Sequence, residues 1–221
     1  MAATPSSDFR RTRERDIVVA TRALFDERGL QDAPIEEIAK GVGIARGLIY
    51  RHFSSKEELF VLTVTDYLDE LCDALGAATG SGTPTARLER QTQAYARFCE
   101  RYPAFLDCAL SLMQRPAQEL REMVSESVWF RLGQGMASCI AQLSAVLRDG
   151  ERDGSFSSVQ DADYTANVLW TQTLGTMHLA RIGVGLREAA PEVPALFAVD
   201  PDRVVASCVD SVMAMVGATR S

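Results

Sequence analysis

The sequence lacks several features that would place it in a common class of protein. No apolar run reaches the roughly 18 residues that a membrane-spanning helix requires. The N-terminal segment MAATPSSDFRRTRER has no apolar stretch of the kind found in secretory signals. The five cysteines form no CxxC pair and leave one over. These absences predict reduced thiols and a cytoplasmic protein without a membrane partner.

Signatures of common catalytic and metal sites are also missing. The chain contains no GxSxG, HExxH or P-loop motif, and it has only two histidines. The string GQGMAS is similar to a dinucleotide-binding loop, but no predicted strand precedes it, so we reject that interpretation. The sequence therefore predicts no metal site and no cofactor. It also predicts that the protein is not an enzyme; an enzyme on a helical scaffold is the alternative.

Charge is unevenly distributed along the chain. The formal net charge is −7, which by itself argues against a nucleic-acid partner. Residues 1–60, however, hold 10 basic and 10 acidic side chains, whereas residues 61–221 hold 13 and 20. The excess acidity is confined to the larger C-terminal part, so the whole-chain charge does not exclude DNA binding by the N-terminal part.

Apolar residues recur at helical spacing through most of the chain, and strict alternation is absent. The pattern predicts an all-α protein of about nine helices and no strand. Residues 1–8 are predicted to form a disordered tail, Gly29 to end the first helix, and Pro116 to open one long helix. Breaks between helices are predicted at 78–84 and 149–158.

Residues 35–60, IEEIAKGVGIARGLIYRHFSSKEELF, carry the strongest functional signal. A helix-turn-helix unit needs a small residue in its first helix, a glycine at the turn and an apolar residue on the inner face of its second helix. Ala39, Gly43 and Ile49 meet these needs in register. The alternative is an αα-hairpin inside an ordinary helical core.

Capping and cationic residues flank this unit. Ser55 and Glu58 predict a capping box, which leaves Lys56 at a helix N-terminus where a phosphate is favoured. Several arginines, including Arg10, Arg11 and Arg13, lie near the start of the chain. They are either a solvated helical face or, beside a DNA-reading unit, an arm that contacts phosphates.

The patterns LFxERG, IEEIAxGxGI and GxIYRHFxSKEELF resemble the DNA-binding domain of TetR-family transcriptional regulators over about residues 10–62. The resemblance implies a helix-turn-helix DNA-binding domain at 1–60 and a helical effector-binding and dimerisation domain at 61–221. Ala33 and Pro34 depart from the family pattern because they replace a capping hydroxyl.

Carried onto this sequence, the resemblance implies a DNA-binding surface. Arg46 is expected to read a base edge, preferably of guanine, and Gly47 to allow close approach of the backbone. Two further departures affect this surface: Leu48 cannot donate a hydrogen bond to a phosphate, and Glu36 does not attract DNA. The predicted DNA-binding residues are Arg10, Arg11, Arg13, Ala45, Arg46, Gly47, Leu48, Tyr50, Arg51, His52 and Lys56.

The same resemblance implies an effector pocket among the C-terminal helices. Such a pocket needs an apolar lining and a few convergent polar groups. The alternative for each candidate residue is ordinary hydrophobic core, and for the histidine a satisfied core position. The candidates are Tyr95, Phe98, Tyr102, Phe105, Met113, Met123, Trp129, Trp170, Gln172, Thr176, Met177 and His178.

Two apolar helices near the C-terminus, at about 161–182 and 201–217, are dotted with small residues and are predicted to form a homodimer interface. The alternative is that they belong to the core of a single chain. Capping residues followed by proline, Thr83-Pro84 and Asp200-Pro201, mark two helix starts. A two-fold pair is expected because one short recognition helix buries too little surface for specific affinity.

The sequence thus predicts a ligand-responsive, dimeric DNA-binding transcriptional regulator. In particular, it predicts a repressor that a small lipophilic effector releases from double-stranded operator DNA. The alternative within DNA binding is an architectural protein that responds to no effector.

Overall fold

Ten helices and one β-hairpin account for the regular structure of the part of the chain that is described. The structure, a computed structural model, describes residues 5–28 and 34–218. The predicted all-α class is confirmed, with the hairpin as an addition. In chain order the elements are α1 (Pro5–Arg28), α2 (Ile35–Val42), α3 (Arg46–His52), α4 (Lys56–Thr79), α5 (Pro84–Arg101), α6 (Pro103–Met113), α7 (Ala117–Met123), α8 (Glu126–Asp153), α9 (Ala162–Ile182), β1 (Val184–Ala190), β2 (Val193–Ala198) and α10 (Pro201–Met215).

The described residues group into two compact units. The first unit contains the residues up to Asp69 together with Asp107–Gly135. The second contains Glu70–Leu106 together with the residues from Met136 onward. The division predicted at residue 60 separates a DNA-binding part from an effector-binding and dimerisation part. The compact units do not test these roles, so the division stays a prediction.

Each unit has its own apolar core. In the first unit, Ile17 of α1, Ile49 of α3 and Phe53 after α3 are at most 2% exposed. In the second unit, buried side chains of α5, α8, α9 and α10 form one cluster, which includes Leu88 and Val212. The amphipathic periodicity of the sequence accounts for both cores, because each helix turns its apolar stripe inward.

The two helix starts marked by a cap and a proline are confirmed. The Thr83 hydroxyl accepts a hydrogen bond from the Ala86 N–H at 3.3 Å, and Pro84 is the first residue of α5. Asp200 accepts a hydrogen bond from the Asp202 N–H at 3.0 Å, and Pro201, which lies between them, is the first residue of α10. Proline is tolerated at a first helical position because its missing N–H would have no intrahelical partner.

The single long helix predicted from Pro116 is wrong, because the structure divides it into α7 and α8. Val124 has extended backbone angles, φ −129° and ψ 159°, and ends α7. The next residue, Ser125, donates its hydroxyl hydrogen to Glu58, a partner that periodicity cannot reveal. α8 then continues to Asp153, beyond the point where a break was predicted.

The prediction that the chain has no strand is wrong for residues 184–198. β1 and β2 pair in an antiparallel hairpin in which Leu186 lies opposite Leu196. Neither face of the hairpin is covered, so the sequence has no reason to alternate between apolar and polar residues. The connection also lacks an Asn-Gly or Asp-Gly pair; Glu192 adopts the left-handed conformation there, with φ of 64°.

The prediction for the N-terminus is wrong in part. α1 begins at Pro5, so residues 5–8 are helical and do not belong to a disordered tail. Residues 1–4 lie outside the described residues, as do Gly29, the predicted end of the first helix, and Ala33.

Candidate nucleic-acid interface and effector site

The turn between α2 and α3 is fixed by a left-handed glycine. Gly43 has φ of 71° and ψ of 34°, and its N–H donates to the Lys40 carbonyl at 3.1 Å. The N–H of Ile44 donates to the Ala39 carbonyl at 2.9 Å. These bonds end α2, and α3 begins at Arg46 after a very short connection. A tight connection of this kind is what a helix-turn-helix unit requires.

α3 has one buried residue and a broad exposed face. Ile49 is 1% exposed and anchors the helix in the core of the first unit. The remaining residues of α3 are exposed, except for the half-buried His52. A short helix that is anchored on one side and turns basic and aromatic groups outward can enter a major groove. The predicted contacts on this face are Ala45, Arg46, Gly47, Leu48, Tyr50 and Arg51.

Arg46 forms an ion pair with Glu36 of α2. Its Nη1 lies 2.5 Å from Glu36 Oε1, and both side chains are more than half exposed. The Arg46 guanidinium carbon also lies 6.0 Å from the centre of the Tyr50 ring. Sequence reasoning considered Glu36 only as a residue that does not attract DNA. It missed the pair because helical spacing does not show which side chains of two different helices meet.

His52 lies apart from the exposed face of α3. Its side chain is 16% exposed, and its Nδ1 lies 3.6 Å from Glu14 Oε1 of α1. That separation is too long for a hydrogen bond, and Nδ1 has no other hydrogen-bond partner among the described residues. The phosphate contact predicted for His52 stays a prediction, and its burial makes it less accessible than Arg46.

The predicted arginine arm is helical and its members have acidic neighbours. Arg10 Nε lies 2.9 Å from Glu14 Oε1, and Arg13 Nη1 lies 4.0 Å from Asp16 Oδ2. Arg11 is exposed. Ion pairs between exposed side chains contribute about 0–1 kcal/mol. Breaking these ion pairs therefore costs little free energy if the arginines bind phosphates instead.

The start of α4 is a capping box that differs in one contact from the predicted form. Ser55 Oγ accepts a hydrogen bond from the Glu58 N–H at 3.0 Å, as predicted. The Glu58 carboxylate accepts from the N–H of Ser54, at 2.5 Å, rather than from Ser55. Burial raises the pKa of Glu58, but hydrogen bonds from Ser125 and Ser54 outweigh burial and lower it. Lys56 is the first residue of this capped helix.

The chain matches a known family over this region. The model of the family described as bacterial regulatory proteins, tetR family, matches residues 17–62. The transcriptional repressor KstR2 of Rhodococcus jostii (strain RHA1) is 29% identical over 160 residues, which are 72% of this chain and 74% of that protein. The family model and the similarity to KstR2 both indicate a TetR-family transcriptional regulator.

Other members of the TetR family are similar over shorter or more divergent stretches. The transcriptional activator FasR of Mycolicibacterium smegmatis is 30% identical over 89 residues, which are 40% of this chain and 41% of that protein. The solved structure of the ketosteroid transcriptional regulator KstR2 of Mycobacterium tuberculosis has a TM-score of 0.61 at 21% identity and covers 95% of this chain and 96% of that one. Structural likeness at this identity establishes the fold alone.

Regulators of the TetR family bind operator DNA and effectors, and they are dimeric. They are transcriptional regulators and not enzymes. The comparisons thus indicate the transcriptional regulator of the TetR family that the sequence predicted.

The candidate effector residues divide between the two units. Met113, Met123 and Trp129 belong to the first unit, and the other nine belong to the second. Within the second unit, the ring of Phe98 lies 5.2 Å from that of Phe105 and 4.8 Å from that of Tyr102, measured between ring centres.

The second unit encloses a small cavity beside two stacked aromatic rings. The ring centres of Tyr95 and Trp170 are 4.3 Å apart, and their planes are inclined by 21°. The cavity has a volume of about 20 Å³. Three leucines and Val212 supply much of its lining, and the rest comes from Gln91, Thr92, Tyr95, Cys139, Trp170 and Thr173. Two of the predicted pocket residues, Tyr95 and Trp170, therefore meet at a cavity.

The other candidates of α9 lie elsewhere. His178 is exposed, so the alternative interpretation, a core histidine whose hydrogen bonds are satisfied, is wrong. Met177 is buried and lines a different cavity, of about 170 Å³, with Cys99 and Pro103. Gln172 and Thr176 are half-buried.

Sequence reasoning missed Gln91, Thr92, Cys139 and Thr173 as lining residues. Gln91 could have been found, because it lies on the same face of α5 as Leu88 and Tyr95 and interrupts an apolar stripe. A polar side chain in such a stripe is an informative exception.

Three further observations concern the described residues as a whole. Within residues 5–28 and 34–218, no group of three or more His, Cys, Asp and Glu side chains is arranged to hold a metal ion. Nor does any helix in those ranges have the length and apolar character needed to span a bilayer. None of the five cysteines, all of which lie within the described residues, forms a disulfide.

Proposed function

We propose that this TetR-family regulator is a homodimeric repressor that a small lipophilic effector releases from double-stranded operator DNA. DNA binding is assigned to residues 1–60, and effector binding and dimerisation to residues 61–221. The site of action is the cytoplasm, because bacterial operator DNA is located there.

The exposed face of α3 above the buried Ile49 is the observation that carries the proposal. When the protein binds DNA, Arg46 leaves its ion pair with Glu36 and forms hydrogen bonds to a base edge, preferably that of guanine. Tyr50 and Lys56 hold phosphates and set the register of the helix on the duplex. The remaining predicted contacts, Arg10, Arg11, Arg13, Ala45, Gly47, Leu48, Arg51 and His52, add attraction to phosphates or allow close approach.

An uncharged stripe on α9 supports the homodimer. Val168, Thr171, Gly175, Leu179 and Ile182 follow one another at helical spacing, and each is at least partly exposed. No atom lies within 4 Å of the position that a Cβ of Gly175 would take, so the surface is open there. Small and apolar residues on an open helix face suit close packing against the same face of a second copy.

The exposed apolar surface continues from α9 into the hairpin. Leu186 is 75% exposed and Leu196 is 65% exposed, and they lie opposite each other across the two strands. A two-stranded hairpin is at best marginally stable by itself in water. Burial against a second copy removes these leucines from water, so we include the hairpin with α9 and α10 in the proposed interface.

Control by the effector is proposed to act through the spacing of the two recognition helices. The effector favours a state of the dimer in which that spacing does not fit the operator. Such a shift requires the effector to bind that state more tightly than the DNA-binding state. Repression is preferred over activation because the repressor KstR2 is similar over 72% of this chain, whereas the activator FasR is similar over 40%.

The test is direct measurement of DNA binding. An operator is selected from a randomised duplex library with the wild-type protein, and affinities are measured by fluorescence anisotropy. Arg46→Ala is expected to weaken operator binding by about 1–3 kcal/mol and to relax specificity at one base pair. Arg121→Ala, which removes an exposed arginine of α7, is the matched control and should bind like wild type. Equal affinity of all three proteins would overturn the assignment of α3.

A further inference from the structure

Two residues that line the cavity of the second unit each have a buried polar atom without a hydrogen-bond partner among the described residues. Gln91 is 2% exposed and Tyr95 is 4% exposed. Gln91 Oε1 and the Tyr95 hydroxyl have no hydrogen-bond partner among the described residues. An unsatisfied buried polar group is unfavourable, so a site that contains two of them favours a molecule that can satisfy both.

The hydrogen bonds around Gln91 define what that molecule must offer. The Thr79 hydroxyl donates its only hydrogen to the Leu75 carbonyl at 2.9 Å, so it can only accept from Gln91. The atom of Gln91 that lies 2.5 Å from Thr79 Oγ1 is therefore the amide nitrogen. Oε1 remains as an acceptor, and it requires a donor.

The Tyr95 hydroxyl can serve the same molecule as a donor. Burial, reinforced by the nearby thiols of Cys99, Cys139 and Cys208, raises the pKa of Tyr95 well above its ordinary value. The hydroxyl therefore remains protonated at physiological pH. A ligand hydroxyl has one hydrogen and two lone pairs, so its chemistry suits donation to an amide oxygen such as Gln91 Oε1 and acceptance from a hydroxyl such as that of Tyr95.

The lining contains no charge to balance a charged ligand. None of its residues is Asp, Glu, Lys, Arg or His. Transfer of an ionised carboxylate or ammonium into such a site is strongly unfavourable unless an opposite charge accompanies it. The stacked rings of Tyr95 and Trp170 instead offer a flat apolar surface that suits another ring.

We propose that the effector is an uncharged ring compound bearing a hydroxyl or N–H donor, and that this donor binds Gln91 Oε1 beside the Tyr95 hydroxyl. This proposal rests on the ligand response proposed above. At about 20 Å³ the cavity has room for one water molecule. The effector therefore binds a state in which the lining side chains have moved apart. Because the closed state cannot hold the effector, the two states differ in their affinity for it, as a ligand-controlled switch requires.

The test uses three probes of similar size: phenol, toluene and benzoate. Phenol is expected to bind the full-length protein in calorimetry and to raise its melting temperature as the phenol concentration rises. Toluene lacks the donor and should bind about fivefold to tenfold more weakly, the change expected for one or two hydrogen bonds. Benzoate carries an uncompensated charge and should not bind.

Two variants localise the interaction. Tyr95→Phe keeps the ring beside Trp170 and should weaken phenol binding by about fivefold while leaving toluene binding unchanged. Gln91→Met removes the acceptor and should reduce the preference for phenol over toluene without abolishing it, because the Tyr95 hydroxyl still donates to phenol. Tyr164→Phe makes the same chemical change at a side chain that is 70% exposed, and it should bind all probes like wild type.

Three outcomes overturn the proposal: phenol and toluene bind equally, benzoate binds as tightly as phenol, or phenol at millimolar concentration does not bind. A measurement of operator release distinguishes failure of this effector proposal from failure of the proposed function. If a charged lipophile such as dodecanoate releases DNA and phenol does not bind, the effector class is wrong and the ligand-responsive repressor stands. If wild type binds no operator at all, the proposed function itself is wrong.

Discussion

Arg46 and Glu36 occupy one exposed patch, with the arginine on α3 and the carboxylate on α2. Their ion pair leaves the patch nearly neutral although it contains the residue proposed to read DNA. An exposed pair of this kind contributes only about 0–1 kcal/mol to stability. Its larger effect is expected on the proposed DNA binding, because Glu36 would compete with DNA for the guanidinium and repel phosphates.

Glu36→Gln is expected to tighten operator binding by about twofold to fivefold. The amide removes the competing charge and leaves Arg46 in place. Anisotropy titration at low and moderate salt measures the effect, which should shrink as salt screens the charges. Glu37→Gln makes the same change in net charge at the neighbouring carboxylate, which pairs with Arg28 instead. A gain for Glu37→Gln as large as that for Glu36→Gln would mean that the ion pair with Arg46 is irrelevant.

Glu58 is the residue whose ionisation is tied most closely to the fold of the first unit. It is 6% exposed, and it accepts hydrogen bonds from Ser54 and Ser125. These bonds lower its pKa in the folded state below the ordinary value of a glutamate, despite burial. A carboxylate with a lowered pKa stabilises the fold above its unfolded-state pKa, and that contribution is lost as the pH falls through the folded-state value.

Glu58→Gln is therefore expected to reduce stability at about pH 7 by about 1–3 kcal/mol, since two hydroxyls and an N–H lose a charged acceptor. The difference from wild type should narrow as the pH falls below the unfolded-state pKa and through the lower folded-state pKa, where wild type loses the same contribution. Urea unfolding at several pH values measures both effects. Glu57→Gln controls for net charge and should show a smaller and flatter difference.

At the scale of elements, the connection between α2 and α3 sets the orientation of α3, the helix that is proposed to read DNA. Gly43 holds the left-handed conformation that ends α2. Gly47 lies inside α3 with helical geometry. Neither glycine has an atom within 4 Å of the position a Cβ would take, so they differ in backbone conformation and not in available space.

The two glycines should consequently respond in opposite directions to alanine. Gly43→Ala is expected to destabilise the protein by about 1–2 kcal/mol because of the left-handed backbone. Gly47→Ala is expected to stabilise it by up to about 1 kcal/mol through helix propensity. Thermal and urea unfolding compare the two. Equal effects of the two substitutions would contradict the role assigned to the turn.

Gly47→Ala has a second consequence, which separates fold from function. The added methyl group stands on the exposed face of α3, where close approach to DNA is proposed. Operator affinity should fall while stability rises, an outcome that general damage to the protein cannot produce.

At the scale of the whole molecule, the exposed stripe of α9 and the exposed hairpin place the proposed dimer interface on one continuous stretch of chain. Large exposed apolar surfaces are uncommon on monomeric proteins. A dimer also gives two recognition helices, and two half-sites supply the affinity that a single short helix lacks.

Gly175→Glu should disrupt this dimer, because it puts a charge in the middle of the uncharged stripe. The expected result is a monomer in sedimentation velocity at micromolar concentration, together with a loss of at least about tenfold in operator affinity. Ala145→Glu adds the same charge at an exposed position of α8 in the same unit, and it should remain dimeric. A dimeric Gly175→Glu protein with full operator affinity would move the interface elsewhere.

Local sequence determined much of this protein. The helix starts at Pro84 and Pro201, the capping of α4 by Ser55 and the turn at Gly43 each follow from a few neighbouring residues, because caps and left-handed turns depend on local backbone chemistry. The family pattern in the first sixty or so residues was equally local. It was therefore visible without a structure, and so was the all-helical class.

Tertiary structure alone decided which distant side chains meet. The ion pair of Glu36 with Arg46, the bond from Ser125 to Glu58 that accompanies the break between α7 and α8, and the unpartnered oxygen of Gln91 at a cavity each join separate helices or depend on packing. The hairpin escaped prediction for a related reason: with neither face covered, it left no alternating pattern in the sequence. Periodicity records which face of an element is buried, but not what that face packs against.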